Sequence, residues 1–481
     1  MFFRQVFDDK LAQYAYLIGC QATGEAIVID PERDIQRYLD IAAEEDLRIV
    51  AVTETHIHAD FLSGCLEFVD QVGTTAYLSG EGGEGWAYGW ADRSPNVKLL
   101  AHGDRFHIGN IEFEARHTPG HTPEHMSFLV TDHGGGASEP MGLVSGDFVF
   151  VGDLGRPDLL ETAAGQSGAM EPAAKRLYAS AKGVFEMPEY MQIWPGHGAG
   201  SACGKALGAV PDTTVGYELR FSPALAAVKQ GESSFVSYIL AGQPEPPLYF
   251  ARMKHQNRDG PPLLAGLPEP SRASADKLMQ VAGQEDWVVL DTRPDRLDYY
   301  AGHIPGSIYA PMNKAFSAAV GSYVLPEHRI LLVCEEGEVG EAVRALIRIG
   351  LDQIEGWAPP SVINDVKAAG GSLKTIESID CDTMAKRVGP GAHVLDVRRA
   401  TEHEEGHLEG STNVAHTRLA ARLGEVPGDK TLLVHCRTGA RVSAAVSFLE
   451  REGYDVVAVN DVFPEWLEHV RGPKKGGALA S

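Results

Sequence analysis

The chain has 481 residues, 44% of them hydrophobic and 22% charged, a length that predicts about three globular units at roughly 100 to 200 residues each. Forty-two basic against sixty-six acidic residues leave a formal charge of −24, which repels phosphate backbones and anionic lipid, so neither nucleic acid nor a membrane is an expected partner. No apolar run reaches the roughly 18 to 20 residues of a bilayer span. The start MFFRQVFDDK lacks the apolar stretch of a secretory signal, and the six cysteines include no CxxC pair; a cytoplasmic protein with free thiols is expected.

In chain order, IVAVTET reads as a buried strand followed by the loop HIHADF, and MSFLVTD, MGLVSGD and MQIWPGHG read as further strands ending in polar residues. Ligands of α/β sheets bind beyond the carboxyl ends of strands. That places His56, His58 and Asp60 of ETHIHADF, His121 of TPGHTPEH, Asp147 of SGDFVF and His197 of PGHG in one candidate site. A single loop histidine is ordinarily solvated or hydrogen-bonded. Four such elements together point to a first-row transition metal, which imidazole and carboxylate bind well. The proline-rich GQPEPPLYFARMKHQNRDGPPLL closes this unit near residue 268.

The constellation resembles the HxHxDH motif, later histidine, bridging aspartate and final histidine of the metallo-β-lactamase superfamily, over about residues 1 to 265. The motif's last histidine is Phe61 here, which cannot ligate and so weakens a second metal position. Within the superfamily the segment is similar to the persulfide dioxygenases. That resemblance implies one Fe(II) per chain held by His56, His121 and Asp147, a two-histidine, one-carboxylate triad that leaves positions open for substrate and dioxygen. His58, Asp60 and His197 then orient ligands or solvent. GDLGRPD follows the bridging aspartate and resembles a segment of the same enzymes. Its Arg156 is a candidate to stabilise an anionic sulfur species, with a structural salt bridge to Asp158 weighed equally. Cys203 is either a sulfur acceptor near the site or a small buried hydrophobe.

A repeat follows. VVLDTRPDRLDYYAGHIPGSIYAP from Val288 matches HVLDVRRATEHEEGHLEGSTNVAH from His393, placing Asp291 and Arg293 on Asp396 and Arg398. Each copy continues as strand, cysteine loop and amphipathic helix, an order that predicts a parallel sheet with right-handed crossovers. In the second copy, HCRTGARVS sets Cys436 at a strand end before a helix N-terminus, with Arg437 and Arg441 adding positive potential for a thiolate. With its upstream DVR and EGHLEG it resembles a rhodanese sulfurtransferase domain. The first copy reads CEEGEVG, so Glu335, Glu336, Glu338 and Val339 stand where Arg437, Thr438, Ala440 and Arg441 stand in the second. Two unit charges 4 Å apart interact by about 4 kcal/mol at an effective dielectric of 20, so this loop disfavours both a Cys334 thiolate and an approaching sulfur anion. A degenerate domain with a structural or docking role is expected, with an active Cys334 on other substrates as the alternative.

The order resembles the persulfide dioxygenase and rhodanese fusions of bacterial sulfide detoxification. The implied architecture is an αββα metallo-β-lactamase sandwich over 1–268, a degenerate rhodanese domain over 269–368 and a competent one over 375–475, both α/β. The implied activity is oxidation of low-molecular-weight thiol persulfides by dioxygen to sulfite, then thiosulfate formation at Cys436, in a homo-oligomer that is a dimer or tetramer. The alternative is a thioester hydrolase resembling glyoxalase II, fused to a sulfurtransferase.

Overall fold

The computed structural model describes residues 1–162, 168–205, 207–264 and 266–471; residues 472–475 of the expected last domain lie outside them. Two compact units form, Met1–Leu267 with Ile347–Gly350, and Pro268–Leu346 with Leu351–Ser481. Among the described residues no helix is long and apolar enough to cross a membrane.

The first unit holds two six-stranded sheets. One comprises β1 (Phe2–Asp8), β2 (Gln13–Cys20), β3 (Glu25–Ile29), β4 (Arg48–Thr53), β5 (Thr75–Ser79) and β6 (Val97–Leu100), adjacent in that order. The other comprises β7 (Arg105–Ile108), β8 (Ile111–His117), β9 (Met126–Asp132), β10 (Gly142–Gly146), β11 (Gln192–Pro195) and β12 (Thr213–Thr214), adjacent in the order β12-β11-β10-β9-β8-β7. Strand β8 shows the two-residue period that drives this packing: Ile111, Phe113 and Ala115 are buried while Glu112, Glu114 and Arg116 are partly exposed. Tyr16, Ile18, Ile27, Phe113, Phe128 and Val144 form the core between the sheets. Helix Gln36–Glu44 brings Tyr38 and Ala42 to a second core with Val28 and Val52. Helices Met170–Lys182 and Glu232–Leu240 bring Leu177 and Phe235 to a third with Leu143 and Ile193. Helices on the outside of two facing sheets give the αββα sandwich.

The second unit holds two five-stranded sheets of identical topology. The first repeat has β13 (Ser271–Arg272), β14 (Trp287–Asp291), β15 (Ile308–Tyr309), β16 (Arg329–Val333) and β17 (Ile354–Ala358) in the order β13-β17-β16-β14-β15. The second has β18 (Glu377–Ile379), β19 (Ala392–Asp396), β20 (Thr412–Asn413), β21 (Thr431–His435) and β22 (Val456–Val459) in the order β18-β22-β21-β19-β20. Among the described residues all pairings in these sheets are parallel, and the middles of the central strands are apolar, as sheets covered on both faces require. Each repeat carries its own sheet, and the two pack into one compact unit. The physical reason is helix Ala440–Arg451, buried from Val442 to Leu449. Its Ser447 Oγ accepts from Tyr309 N at 3.0 Å, its Ser443 Oγ accepts from Tyr300 Oη at 3.0 Å, and Phe448 stacks on Tyr323 at 4.7 Å.

Candidate metal centre and cysteine loops

The metal candidates stand just past strand ends: His56 after β4, His121 after β8, Asp147 after β10 and His197 after β11. Gly146 makes the turn into Asp147 with φ +51°, and a Cβ there would lie 2.4 Å from Thr55 Oγ1, so the turn requires glycine. Ligand atoms of His56, His121 and Asp147 lie within 4.8 Å of one another, all buried. Asp147 Oδ2 is 3.4 Å from His121 Nε2 and 3.9 Å from His56 Nε2.

Neighbouring groups set the tautomers. Thr55 Oγ1 donates to Asp30 Oδ2 and accepts from His56 Nδ1, both at 3.0 Å, and His121 Nδ1 donates to the Arg156 carbonyl at 3.0 Å. Both Nε2 lone pairs are therefore bare. Burial pushes His121 down to about 3 and His56 well below its ordinary value, so both rings are neutral. Burial pushes Asp147 up to about 6, and among the described residues neither of its carboxylate oxygens has a hydrogen-bond partner. Bare imidazole nitrogens facing a bare buried carboxylate leave an uncompensated polar cluster, which a cation would satisfy.

His58 faces elsewhere. Its Nε2 lies 3.1 Å from Asp30 Oδ1; burial pushes its pKa down, but Asp30, Glu54 and Asp60 together raise it to about 9. His58 thus touches His56 ring to ring, centres 4.2 Å apart, and is also linked to it through Asp30 and Thr55. Phe61 is wholly buried and packs on His58, ring centres 4.3 Å apart. His197 donates from Nδ1 to the Ala12 carbonyl, and its Nε2 lies 3.4 Å from Asp60 Oδ2 and 3.5 Å from Asp147 Oδ1. Asp60, His197 and Cys203 form a second buried trio within 4.8 Å. Burial holds the Cys203 thiol well above its usual range.

The Arg156 guanidinium is engaged by Asp158, with Nε to Oδ1 at 2.9 Å and Nη2 to Oδ2 at 2.6 Å, and by the Ala202 carbonyl at 2.8 Å. That is the salt-bridge arrangement, and the residue's link to the trio runs through its backbone carbonyl on His121. Three contributors were missed from the sequence. Asp30 follows the last residue of β3 and accepts from Thr55 N at 2.6 Å. His125, in the quoted TPGHTPEH, accepts from Asp147 N at 3.0 Å through Nε2. Asn257 donates to the carbonyls of His58 and Phe61 at 2.8 and 2.7 Å and accepts from Ser63 N, holding the motif loop. Only His125 carried a local signal, its place in a histidine motif.

In the second repeat Cys436 follows β21, and its Sγ accepts from Gly439 N at 3.2 Å. Gly439 has φ +86°, and a Cβ there would lie 2.3 Å from Asn460 Oδ1. Arg437 is exposed. Arg441 is paired with Glu402, Nη2 to Oε1 at 2.8 Å, so its charge is partly offset. In the first repeat Gly337 has no positive φ, residues Glu336–Glu338 form a 3-10 turn, and among the described residues no N–H donates to Cys334 Sγ. Burial, then Glu338 and Glu335, push the Cys334 thiol up to about 12. Between the repeats, a cavity of about 140 Å³ is lined by Arg296, Tyr309 and Phe316 of the first and His416, Arg441 and Ala444 of the second. Arg296 also reaches the loop directly, donating to Thr438 O at 3.1 Å.

Residues 8–197 match the Metallo-beta-lactamase superfamily, and residues 274–359 and 380–469 match the Rhodanese-like domain. A solved structure described as a metallo-beta-lactamase from Staphylococcus aureus is 40% identical with a TM-score of 0.66, covering 75% of this chain and 99% of its own. The persulfide dioxygenase ETHE1 of Bos taurus is 28% identical over 206 residues, 40% of this chain and 67% of its own. A hydroxyacylglutathione hydrolase of Rhodospirillum rubrum is 32% identical over 154 residues, 32% of this chain and 53% of its own. The chain belongs to the metallo-beta-lactamase superfamily, as a fusion of a domain homologous to persulfide dioxygenases with a tandem pair of rhodanese-like domains.

Proposed function

We propose that the chain is an Fe(II)-dependent persulfide dioxygenase coupled to a sulfurtransferase. One observation carries this: two neutral imidazole Nε2 atoms and an unpartnered Asp147 carboxylate converge in a buried trio, while Phe61 replaces a ligand of the second metal position. His56 Nε2, His121 Nε2 and Asp147 Oδ2 would hold one ferrous ion, which when bound supplies activation of dioxygen. The overall change is thiol persulfide, dioxygen and water giving thiol, sulfite and two protons.

The chain's own residues prepare that chemistry. Thr55 and the Arg156 carbonyl hold the Nδ1 protons of His56 and His121 so that the lone pairs face the open side. His58 and Asp30 form a buried ion pair that fixes Thr55. In the second unit, Gly439 N–H donates to Cys436 Sγ at the N-terminus of the helix beginning at Ala440, which places the attacking sulfur against N–H donors. Cys436 attacks the outer sulfur of a persulfide, the S–S bond breaks, and the thiol leaves with the proton. Sulfite then attacks the sulfur on Cys436, giving thiosulfate and restoring the thiolate.

A second reading rests on Asp60, His197 and Cys203, whose ligand atoms also converge: two metals in the first unit would suit thioester hydrolysis. Metal analysis of anaerobically purified protein with oxygen uptake on a panel of persulfides tests both. Close to one iron per chain and persulfide-dependent oxygen uptake are expected, with His121→Ala losing both and His197→Ala keeping most of the metal. Two tightly held zinc ions, or equal metal loss in both variants, would overturn the proposal in favour of the hydrolase.

A further inference from the structure

Lys254 lies on helix Phe250–Asp259 and is 5% exposed. Its Nζ sits 3.6 Å from the centre of the Trp86 ring, and among the described residues it makes no hydrogen bond or ion pair. A buried ammonium without a counter-ion is costly, and a cation–π contact offsets only part of that cost. Burial lowers its pKa to about 8 against the opposing pull of Glu124, so it remains mostly cationic at neutral pH. Glu124 does not neutralise it at contact distance: its Oε1 accepts from Ile57 N at 2.8 Å, and burial pushes its carboxyl up to about 7.

Lys254 and Trp86 line a small cavity of about 20 Å³ together with Ile57, Leu160, His121 and Thr122. The volume suits one small group. Its polar lining is specific: Thr122 Oγ1 is buried, with the Glu124 carboxyl as its neighbour and no well-formed hydrogen bond among the described residues, and His121 belongs to the buried trio. A cation with no hydrogen bond or ion pair among the described residues and a buried hydroxyl thus stand on the walls of a cavity that abuts the candidate metal centre.

We propose that Trp86, Thr122 and Lys254 form a subsite for a small oxyanionic group, through which the first unit selects thiol persulfides that carry a carboxylate. The ammonium, held against the Trp86 face, pairs with the carboxylate, and Thr122 donates to it. The same chemistry would also receive the sulfite product. The inference rests on the proposed function for the identity of the substrate, but not for the existence of the subsite.

Calorimetric titration of the metal-loaded full chain with mercaptopropionate, mercaptoethanol and sulfite tests it, using Lys254→Met and Lys254→Arg. For the carboxylated thiol, Lys254→Met should weaken binding by about tenfold or more, as loss of a charge-assisted hydrogen bond does. The neutral thiol should change less than about twofold, and Lys254→Arg should retain the preference. Unchanged sulfite binding in Lys254→Met assigns the oxyanion to the carrier's carboxylate; a parallel loss assigns the product as a second occupant. If Lys254→Met does not fold, Thr122→Val should still lower the preference for the carboxylated thiol. Equal weakening of both thiols, or none of either, overturns the subsite. Lys254-dependent binding without oxygen uptake in the unsubstituted chain would sink the dioxygenase reading and leave the subsite standing.

Discussion

Cys334 and Cys436 end corresponding strands of two sheets with the same order, and the Asp-x-Arg pair is preserved in both, Asp291 with Arg293 and Asp396 with Arg398. Around the sulfur the repeats part. Gly439 adopts φ +86° and turns its N–H onto Cys436, whereas Gly337, at the equivalent position, does not. Glutamates surround Cys334, while Cys436 has an exposed arginine and one paired to Glu402. A shared scaffold therefore does not imply shared chemistry. A few loop residues decide whether a strand-end cysteine meets N–H donors or carboxylates.

The largest test of this contrast is nucleophile removal. Cys436→Ser should lower sulfur transfer from thiosulfate to cyanide by about 10⁴-fold or more, while Cys334→Ser keeps most of it. Oxygen uptake should persist in Cys436→Ser, with sulfite accumulating in place of thiosulfate by mass spectrometry. Equal loss in both cysteine variants would erase the contrast.

The shared scaffold makes the opposite expectation. Arg293→Ala and Arg398→Ala each strand a buried aspartate, and thermal or denaturant unfolding should show a loss of about 3–5 kcal/mol in either repeat. A large difference between them would mean that the clamp has itself diverged.

Glycine substitution separates the loops again. Gly439→Ala puts an L residue at positive φ against Asn460 and should cost about 1–2 kcal/mol by thermal unfolding, together with sulfur transfer. At Gly337 a Cβ meets nothing within 4 Å, so Gly337→Ala should be neutral or stabilising by about 0.4–1 kcal/mol.

The smallest expected signal is the pH dependence of Cys334 itself. A thiol pushed up to about 12 has a thiolate fraction that grows with pH. Its alkylation by iodoacetamide, followed by peptide mass spectrometry, should therefore rise about tenfold per pH unit from 8 to 11 without levelling. A plateau near pH 8 would show that the glutamates do not disfavour the anion.

Much of this was legible locally. Strand β4 and its histidine loop, the strands ending at Asp147 and before His197, and the repeat with its Asp-x-Arg pair all follow from short patterns, because alternation and strand-end polarity are near-neighbour properties. The acidic substitution around Cys334 is likewise a property of consecutive residues. Side-chain direction was not legible. His58 belongs to the same motif as His56 and its ring touches that of His56, yet its Nε2 is taken by Asp30, just past the end of β3. Arg156 is held by Asp158 and a carbonyl at residue 202, and Asn257 fixes a loop nearly two hundred residues earlier in the chain.

What the sequence alone determined about this protein is the order of strands, loops and helices, the residue types available for ligation, and the charge of each cysteine loop. Tertiary structure decided which nitrogen of each histidine is bare, which guanidinium is already occupied, which of two equivalent glycines turns its N–H toward sulfur, and that Lys254 meets the Trp86 ring and, among the described residues, no carboxylate at ion-pair distance. The physical reason is that composition and period act between neighbours in the chain. Tautomer, pairing and backbone sign depend instead on partners that only folding brings within hydrogen-bond distance.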